Sequence, residues 1–255
     1  MATIGNYKII RQIGEGGFGR TYEAEHILAP KIKACLKQSI NITSEHAKIL
    51  EREAELMAKI HHYSLPAFRD LIRDSDGSYI LVMSFEEGRT LDKVLDKHKA
   101  LHPEEVAWIT HRLLGATYYL HSHGVVHGDI KPTNIIVQPK EHNAILIDYG
   151  LSSISPDRNT KSIGYTPVFA APEIISGKPP LPESDLYSLG LTMLYALGGD
   201  PLTRSFPDHV PNKLQEFYNS IIRNNPLERT SWDKENLVTR LSEVRQEVFG
   251  REHTK

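Results

Sequence analysis

The sequence contains a single cysteine, Cys35, and almost no excess of charge of either sign. One cysteine excludes an internal disulfide and fits a reducing compartment. The 30 lysines and arginines nearly balance the 32 acidic residues, for a formal net charge of −2. That balance argues against a general nucleic-acid or anionic-membrane surface.

Long apolar segments are also missing. Nothing in the sequence reaches the roughly 18 consecutive apolar residues of a membrane-spanning helix, and residues 1–12 lack the apolar core of a signal peptide. The 13 histidines are scattered without a third partner at zinc-ligand spacing. We therefore expect a cytoplasmic protein without a histidine metal site.

What the sequence does contain is typical of a globular protein. It has 255 residues, of which 40% are hydrophobic and 24% charged. This length suffices for one large domain or two modest lobes with a real core.

The first third of the chain alternates between short β-rich runs and one helical pattern. Strands are predicted over residues 7–13, 20–26, 31–38, 67–73 and 78–84. Apolar residues recur at three-to-four spacing between Ser44 and Ile60, which predicts a helix.

After residue 88 the pattern becomes mostly helical. Helices are predicted over residues 90–98, 102–123, 183–197, 212–222 and 233–249. We predict one domain spanning residues 1–255, of the α+β class. A small β-rich lobe (1–83) with one helix would join a larger, mainly helical lobe (89–255) through a linker at 84–88. A cleft between two lobes is a common place for a ligand.

The glycine-rich run GEGGFG (14–19) separates the first two predicted strands. Glycines let backbone N–H groups approach a phosphate closely, but a plain hairpin turn is an equally good interpretation. The run lies between two strands, which argues against a Rossmann site, and the sequence contains no P-loop motif.

Lys37 lies in an apolar predicted strand, where a charged group needs a partner. Glu53 falls on the apolar face of the following helix and could supply the carboxylate. An exposed lysine on an edge strand is the alternative.

Polar residues interrupt the apolar run VVHGDIKPTNIIV (125–137). Asp129 could accept a hydroxyl proton, and Lys131 could neutralise charge on a phosphoryl group. Asn134 and Asp148 offer the hard oxygen ligands that Mg²⁺ prefers. Taken singly, each is an ordinary loop residue.

The order of these motifs narrows the interpretation. The sequence contains GEGGFGRT, ACLK, HGDIKPTN, DYG and AAPE in that order. They resemble GxGxxGxV, VAIK, HRDLxxxxN, DFG and APE of the eukaryotic-type (Hanks-type) Ser/Thr protein kinases, over nearly the whole chain. The resemblance implies the bilobal protein-kinase fold and transfer of the γ-phosphoryl group of ATP to Ser or Thr hydroxyls of proteins.

The same resemblance assigns roles to residues. Asp129 would be the catalytic base, Lys131 would stabilise the γ-phosphoryl group, and Lys37, paired with Glu53, would hold the α- and β-phosphates. Asn134 and Asp148 would hold Mg²⁺, with Mn²⁺ as an alternative. ATP would be contacted by Ile13, Gly14, Glu15, Gly16, Gly17, Phe18, Gly19, Thr21, Cys35, Lys37, Met83, Ser84, Phe85, Glu86 and Ile136.

Three further residues have structural roles by resemblance. Glu173 would pair with Arg229, and Asp185 would brace the catalytic loop.

The resemblance also indicates a substrate class. Thr166, seven residues before Glu173, stands where Ser/Thr-specific members have a threonine. The implied partner is a protein substrate, autophosphorylation is left open, and no nucleic acid is expected. A nucleotide-binding pseudokinase and a small-molecule kinase are the alternatives, and the oligomeric state is not predicted.

Four single residues and one segment depart from the family pattern. Gly128 replaces an arginine that binds activation-segment phosphate in many members, so we expect activity not to depend strongly on phosphorylation of that segment. Tyr149 replaces phenylalanine, and Cys35 and Thr21 replace alanine and valine against the adenine ring. Residues 198–211 are expected to form a loop where typical members place a helix.

Overall fold

The computed structural model describes residues 2–16, 19–39, 44–74 and 77–251, apart from the side chains of residues 44–46. The predicted nucleotide contacts Gly17 and Phe18 lie outside these residues. The chain divides into two compact units, Met1–Glu87 and Gly88–Lys255.

The first unit is built on one antiparallel sheet with the strand order β1-β2-β3-β4-β6-β5. Its strands are β1 (Thr3–Ile4), β2 (Tyr7–Gly16), β3 (Gly19–His26), β4 (Ala29–Gln38), β5 (Phe68–Arg73) and β6 (Tyr79–Ser84). The alternating β-rich pattern thus predicted five of the six strands. Strand β2 runs beyond its predicted end at residue 13, because Gly16 still pairs with Gly19 across the hairpin.

Helix α1 (Ser44–Met57) packs against β5 and β6. Leu50, Ala54 and Met57 are almost fully buried and recur at helical spacing, which explains why this segment is a helix. The core of the sheet contains Ile4, Ala24, Ala34, Leu36, Ile80 and Val82.

The second unit is mainly helical. Its helices are α2 (Leu91–His98), α3 (Pro103–Ser122), α4 (Pro172–Ile175), α5 (Pro182–Ala196), α6 (Asn212–Ile221) and α7 (Leu237–Phe249). Helix α5 is buried nearly all round, as its apolar sequence predicted, and packs against α3 and α6. Gly190 is required at this contact, since an added Cβ would lie 2.4 Å from Ile222 Cγ2.

Capping side chains explain where two helices begin. At α3, His102 Nδ1 accepts a hydrogen bond from the Glu104 N–H, and Glu105 accepts one from the His102 N–H. At α7, the Asn236 side chain accepts from the Val238 and Thr239 N–H groups. The predicted start of this helix at residue 233 was therefore wrong, because the cap lies three residues later.

Short strands hold the segment between α3 and α4. They are β7 (Arg89–Thr90), β8 (Val125–Val126), β9 (Ile135–Gln138), β10 (Asn143–Leu146) and β11 (Ser153–Ile154). They form two small sheets with the orders β10-β9-β7 and β11-β8. The polar residues 127–134 therefore lie in a loop fixed at both ends by strand pairing.

Residues 198–211 form turns around a single bridge between Asp200 and Ser205. The expected loop at this position is confirmed. No helix in the described part of the chain is long and apolar enough to cross a membrane.

Candidate active site

Lys37 and Glu53 form a buried ion pair in the first unit. The Lys37 ammonium on β4 donates to both Glu53 carboxylate oxygens on α1, at 2.9 and 2.7 Å. Their side chains are only 10% and 1% exposed. The predicted pair is therefore present, and the exposed-lysine alternative is wrong.

GEGGFG contains four glycines, and the three that the structure describes, Gly14, Gly16 and Gly19, have different surroundings. A Cβ on Gly19 would overlap the Gln38 carbonyl oxygen, so this glycine permits the close approach of β3 and β4. Among the described residues nothing lies within 4 Å of a Cβ built on Gly16, and Gly14 has only an ordinary contact with Thr21. Sheet packing thus explains Gly19 but explains neither Gly14 nor Gly16.

The predicted adenine contacts of this unit lie on neighbouring strands. Cys35 on β4 pairs with Met83 on β6, and Thr21 on β3 pairs with Lys37. Burial raises the pKa of the Cys35 thiol to about 12, which outweighs the opposing effect of the Lys37 charge. Little reactive thiolate is therefore expected near neutral pH.

The segment after β6 is held by side chains of its own unit. Ser84 Oγ donates to Glu86 and accepts from the Ala67 N–H at 2.8 Å. Lys33 reaches Glu87 at 3.0 Å and lies 5.3 Å from the Phe85 ring centroid. Ile13 and Glu15 lie on β2, the former half-buried and the latter exposed.

Asp129 is the centre of a polar cluster in the second unit and is 8% exposed. Its Oδ2 lies 2.7 Å from Lys131 Nζ and accepts from Asn134 Nδ2 at 3.0 Å. Its Oδ1 accepts from Thr166 Oγ1 at 2.7 Å, and Lys131 donates to that same hydroxyl at 2.9 Å. The structure thus brings together Asp129, Lys131 and Asn134, as the sequence predicted.

Asn134 and Asp148 carry hard oxygen atoms of the kind that Mg²⁺ prefers. The Asn134 amide nitrogen is engaged by the Asp129 carbonyl and carboxylate, so its oxygen is the atom available as a hard ligand. The Asn134 carbonyl accepts from the N–H of Ile147, the residue before Asp148. The donor set of one amide and one carboxylate oxygen fits Mg²⁺.

Asp185 on α5 holds the loop that carries Asp129. Its carboxylate accepts the backbone N–H groups of His127 at 2.7 Å and Gly128 at 2.8 Å. The predicted bracing role of Asp185 is therefore seen directly in the geometry.

His127 is fully buried and packs 5.3 Å from the Tyr149 ring. Its Nδ1 accepts from the Asp129 N–H, so Nε2 is the protonated nitrogen facing the Ile147 carbonyl. Burial lowers its pKa, which keeps the ring neutral. The Tyr149 hydroxyl, which needed a partner, faces the Leu146 carbonyl at 3.5 Å.

Gly128 has a φ of +80°, and a Cβ there would lie 2.7 Å from the Leu151 carbonyl oxygen. Glycine suits both the backbone conformation and the close contact. Gly128, which stands where many family members have arginine, therefore also has a local steric reason to be glycine.

Glu173 and Arg229 form the predicted pair. Both terminal guanidinium nitrogens, Nη1 and Nη2, donate to the carboxylate, at 2.5 and 2.8 Å, and Ser184 donates to it as well. Burial alone would raise the pKa of Glu173, but the Arg229 and Ser184 hydrogen bonds outweigh it and lower the pKa. Helix α4 is thereby tied to the segment before α7.

Thr166 was missing from the site residues predicted by sequence. It had served only as a marker of the Ser/Thr class, although its hydroxyl contacts both Asp129 and Lys131. Its position seven residues before Glu173 was the available signal.

The half-buried Ile136 lies on β9, and its contact with adenine stays a prediction.

Comparison with known proteins agrees with this geometry. A family model for the protein kinase domain matches residues 7–245. Serine/threonine-protein kinase F of Synechocystis sp. is 30% identical over 219 residues, covering 76% of this chain and 44% of that protein. Carbon catabolite-derepressing protein kinase of Saccharomyces cerevisiae is 33% identical over 202 residues, covering 77% of this chain and 31% of that protein.

A human relative, hormonally up-regulated neu tumor-associated kinase, is 32% identical over 229 residues, covering 86% of this chain and 31% of that protein. The chain thus spans less than half the length of these relatives. The family model covers most of the sequence, and the bilobal α+β fold agrees with it. The chain belongs to the protein kinase family, among the Hanks-type serine/threonine kinases.

Proposed function

We propose that this chain catalyses transfer of the γ-phosphoryl group of ATP to serine or threonine hydroxyls of protein substrates. The observation that carries the proposal is the cluster of Asp129, Lys131, Asn134 and Thr166. It combines a carboxylate acceptor with a cation, a hydroxyl and an amide suited to binding a metal, each within hydrogen-bond distance of that carboxylate. These are the groups that phosphoryl transfer to a hydroxyl requires.

In the proposed reaction the substrate hydroxyl oxygen forms a bond to the γ-phosphorus, and the bond to the β–γ bridging oxygen breaks, releasing ADP. Asp129 orients the hydroxyl and takes its proton. Lys131 stabilises negative charge on the transferring group. Thr166, bonded to both residues, fixes their relative position.

Lys37 would bind the α- and β-phosphates, with Glu53 holding its ammonium in place. Asn134 and Asp148 would hold Mg²⁺, or Mn²⁺ in its place. The metal, when bound, neutralises phosphate charge. Gly14 and Gly16 would leave space for the phosphates, and residues 84–86 would offer backbone groups to adenine.

The test is a phosphotransfer assay on a generic basic protein, on casein and on the chain itself. Asp129→Asn should lower kcat by about 10²–10⁴-fold, since the proton acceptor is lost. Lys37→Met should lower kcat/KM by at least about 10²-fold through lost charge stabilisation. Exposed residues of the same types supply matched controls, Asp208→Asn and Lys31→Met, which should leave turnover unchanged.

If wild type and both site variants are equally silent while nucleotide still binds, the chain is a pseudokinase and the proposal fails. Transfer only to a small molecule would support the small-molecule kinase alternative instead.

We further propose that activity does not depend strongly on phosphorylation of residues 148–173. Ser152 and Ser153 are buried, and Ser162 donates to the Gly164 carbonyl at 2.6 Å. Thr160 Oγ1 bonds to the Asp157 backbone N–H and carboxylate, both at 2.8 Å. A phosphate on Thr160 would break this turn and face the Asp157 carboxylate.

A phosphatase-treated sample tests this second proposal, with its phosphate content checked by mass spectrometry. It should keep most of its turnover, and so should Thr160→Ala. Loss of nearly all turnover on treatment, restored by autophosphorylation, would contradict it.

A further inference from the structure

The His121 ring joins the catalytic-loop brace to a tryptophan far away in the sequence. His121 lies in the last turn of α3, and its side chain is 4% exposed. Nε2 lies 2.9 Å from Asp185 Oδ2, and Nδ1 lies 2.8 Å from Trp232 Nε1.

The chemistry of the two partners fixes the protonation state of this ring. An indole N–H can only donate, so Nδ1 must be an unprotonated acceptor. Nε2 then carries the hydrogen and donates it to Asp185. His121 is therefore held as the neutral Nε2–H tautomer for as long as the Trp232 hydrogen bond persists.

That tautomer completes the set of donors around a buried carboxylate. Asp185 is 1% exposed and accepts from His121, from the His127 N–H and from the Gly128 N–H. Among the described residues no lysine or arginine forms an ion pair with it. A buried carboxylate in this situation depends on its neutral donors. In the other tautomer the Nε2 lone pair of His121 would face the carboxylate, and Asp185 would lose the hydrogen bond that Nε2–H donates.

Trp232 is itself held in place. Its half-buried ring meets the Tyr118 ring edge-on at 5.1 Å. It lies three residues after Arg229, whose guanidinium is bonded to Glu173 and whose carbonyl accepts from Lys234. The indole N–H is thus presented to His121 by a fixed segment.

We propose that Trp232 is a positioning residue for the catalytic loop. Its N–H selects the His121 tautomer that donates to Asp185, and Asp185 in turn holds the backbone on which Asp129 lies. This inference rests on the proposed function for its kinetic readout, because the reacting group positioned is Asp129.

The first experiment is Trp232→Phe in the full chain, which keeps an aromatic ring against Tyr118 but deletes the donor. Loss of one hydrogen bond in the brace should lower kcat about five- to tenfold. KM for ATP should change less than about twofold, because the nucleotide contacts are untouched. An unchanged kcat, or an effect confined to KM, would overturn the proposal.

Two variants control for loss of packing. Tyr118→Leu removes the ring against Trp232 but keeps the indole donor, and Trp108→Phe makes the same exchange at the other tryptophan of the chain. Both should keep wild-type kcat. If Tyr118→Leu lowers kcat as much as Trp232→Phe, the ring and not its N–H matters, and the proposal fails.

A double-mutant cycle shows whether Trp232 acts through His121. Glutamine at position 121 retains an amide donor for Asp185 but has no tautomers. Adding Trp232→Phe to His121→Gln should therefore cost no further activity. An equal loss in both backgrounds would mean that Trp232 acts by another route.

The last readouts do not need catalysis. In ¹⁵N spectra of the histidine rings, the signal that disappears in His121→Gln should show the Nε2–H tautomer in wild type and lose it in Trp232→Phe. Amide exchange at His127 and Gly128 should become faster in Trp232→Phe. If the wild-type chain transfers no phosphate, the proposed function fails, whereas these spectra still decide the positioning role. An unchanged tautomer and unchanged exchange would refute it.

Discussion

Cys35 illustrates how burial sets the chemistry of one residue. Its pKa is raised to about 12, so very little thiolate exists near neutral pH. At pH 8 we expect the native chain to react with iodoacetamide at least about 100-fold more slowly than the unfolded chain. Because pH 8 lies below the raised pKa, the alkylation rate of the native chain should increase about tenfold for each pH unit above 8, until the pH approaches that pKa.

Mass spectrometry follows this reaction without ambiguity, since the chain has only one cysteine. Equal rates in folded and unfolded chains would contradict the burial effect. Saturating ATP should slow the native reaction further if Cys35 faces the nucleotide, and a rate unaffected by ATP would refute that placement.

Gly128 gives a second prediction at this scale. Its φ of +80° and the Leu151 carbonyl 2.7 Å from a built Cβ both disfavour a side chain. Gly128→Ala should lower the free energy of unfolding by about 2–3 kcal/mol. Gly177 has a φ of +73° but open space, so Gly177→Ala measures the backbone cost alone, about 1 kcal/mol. Urea unfolding of both variants compares the two, and equal losses would contradict the steric contact.

At the level of elements, the cap of α7 is open to a direct test. Asn236 accepts from two N–H groups of the first turn, so Asn236→Ala should cost about 1 kcal/mol. Thr90 has the corresponding position at α2 but makes no side-chain capping bond. Thr90→Ala should therefore cost clearly less in the same denaturation measurement. If Thr90→Ala lowers the free energy of unfolding more than Asn236→Ala does, side-chain capping bonds do not determine which of the two positions contributes more stability.

The long elements could be predicted from sequence because their signals are local. Apolar spacing found α1 and α3, and the uniformly apolar sequence of α5 indicated burial on all sides. Strand β7 could not be found this way, since Arg89 and Thr90 are extended only because they pair with Val137 and Ile136. Both Asp233 and Asn236 can cap a helix, and only the fold selects between them.

For the whole second unit, the Glu173–Arg229 pair joins distant parts of the chain. Glu173→Ala would leave the fully buried Arg229 uncompensated, which should cost about 3–5 kcal/mol. Glu216, exposed and facing Lys213 at 3.8 Å, provides the control. Glu216→Ala should leave the melting temperature nearly unchanged. Similar losses in both variants would contradict this ranking.

The same pair predicts an acid response. The pKa of Glu173 is lowered from its ordinary 4.5, so the unfolded chain binds this proton first. Its contribution is therefore complete above pH 4.5 and is lost as pH falls through the lower folded pKa. Glu173→Gln should flatten the pH dependence of unfolding below pH 4.5, measured against Glu216→Gln. If the free energy of unfolding depends on pH as strongly in Glu173→Gln as in wild type, Glu173 is not the group responsible for the acid response.

The sequence predicted the part of the candidate site whose residues lie close together in one motif. Asp129, Lys131 and Asn134 lie within six positions of each other, and their cluster followed from a single loop. Thr166 was undervalued and Trp232 was missed, because their contacts span 37 and 111 residues. The spacing of Thr166 from Glu173 was a usable signal, whereas no local pattern relates Trp232 to His121, so only the folded chain shows that contact.

The 111-residue span between His121 and Trp232 also has a consequence for the order of events during synthesis. The ribosome makes Asp129 long before Trp232, and at about 5–20 residues per second the delay is about 5–20 s. During that interval the loop has its sequence but not its complete set of hydrogen bonds. A nascent chain stalled between Asp185 and Trp232 would therefore carry every residue of the candidate site and the bracing aspartate, while the indole donor to His121 was still missing.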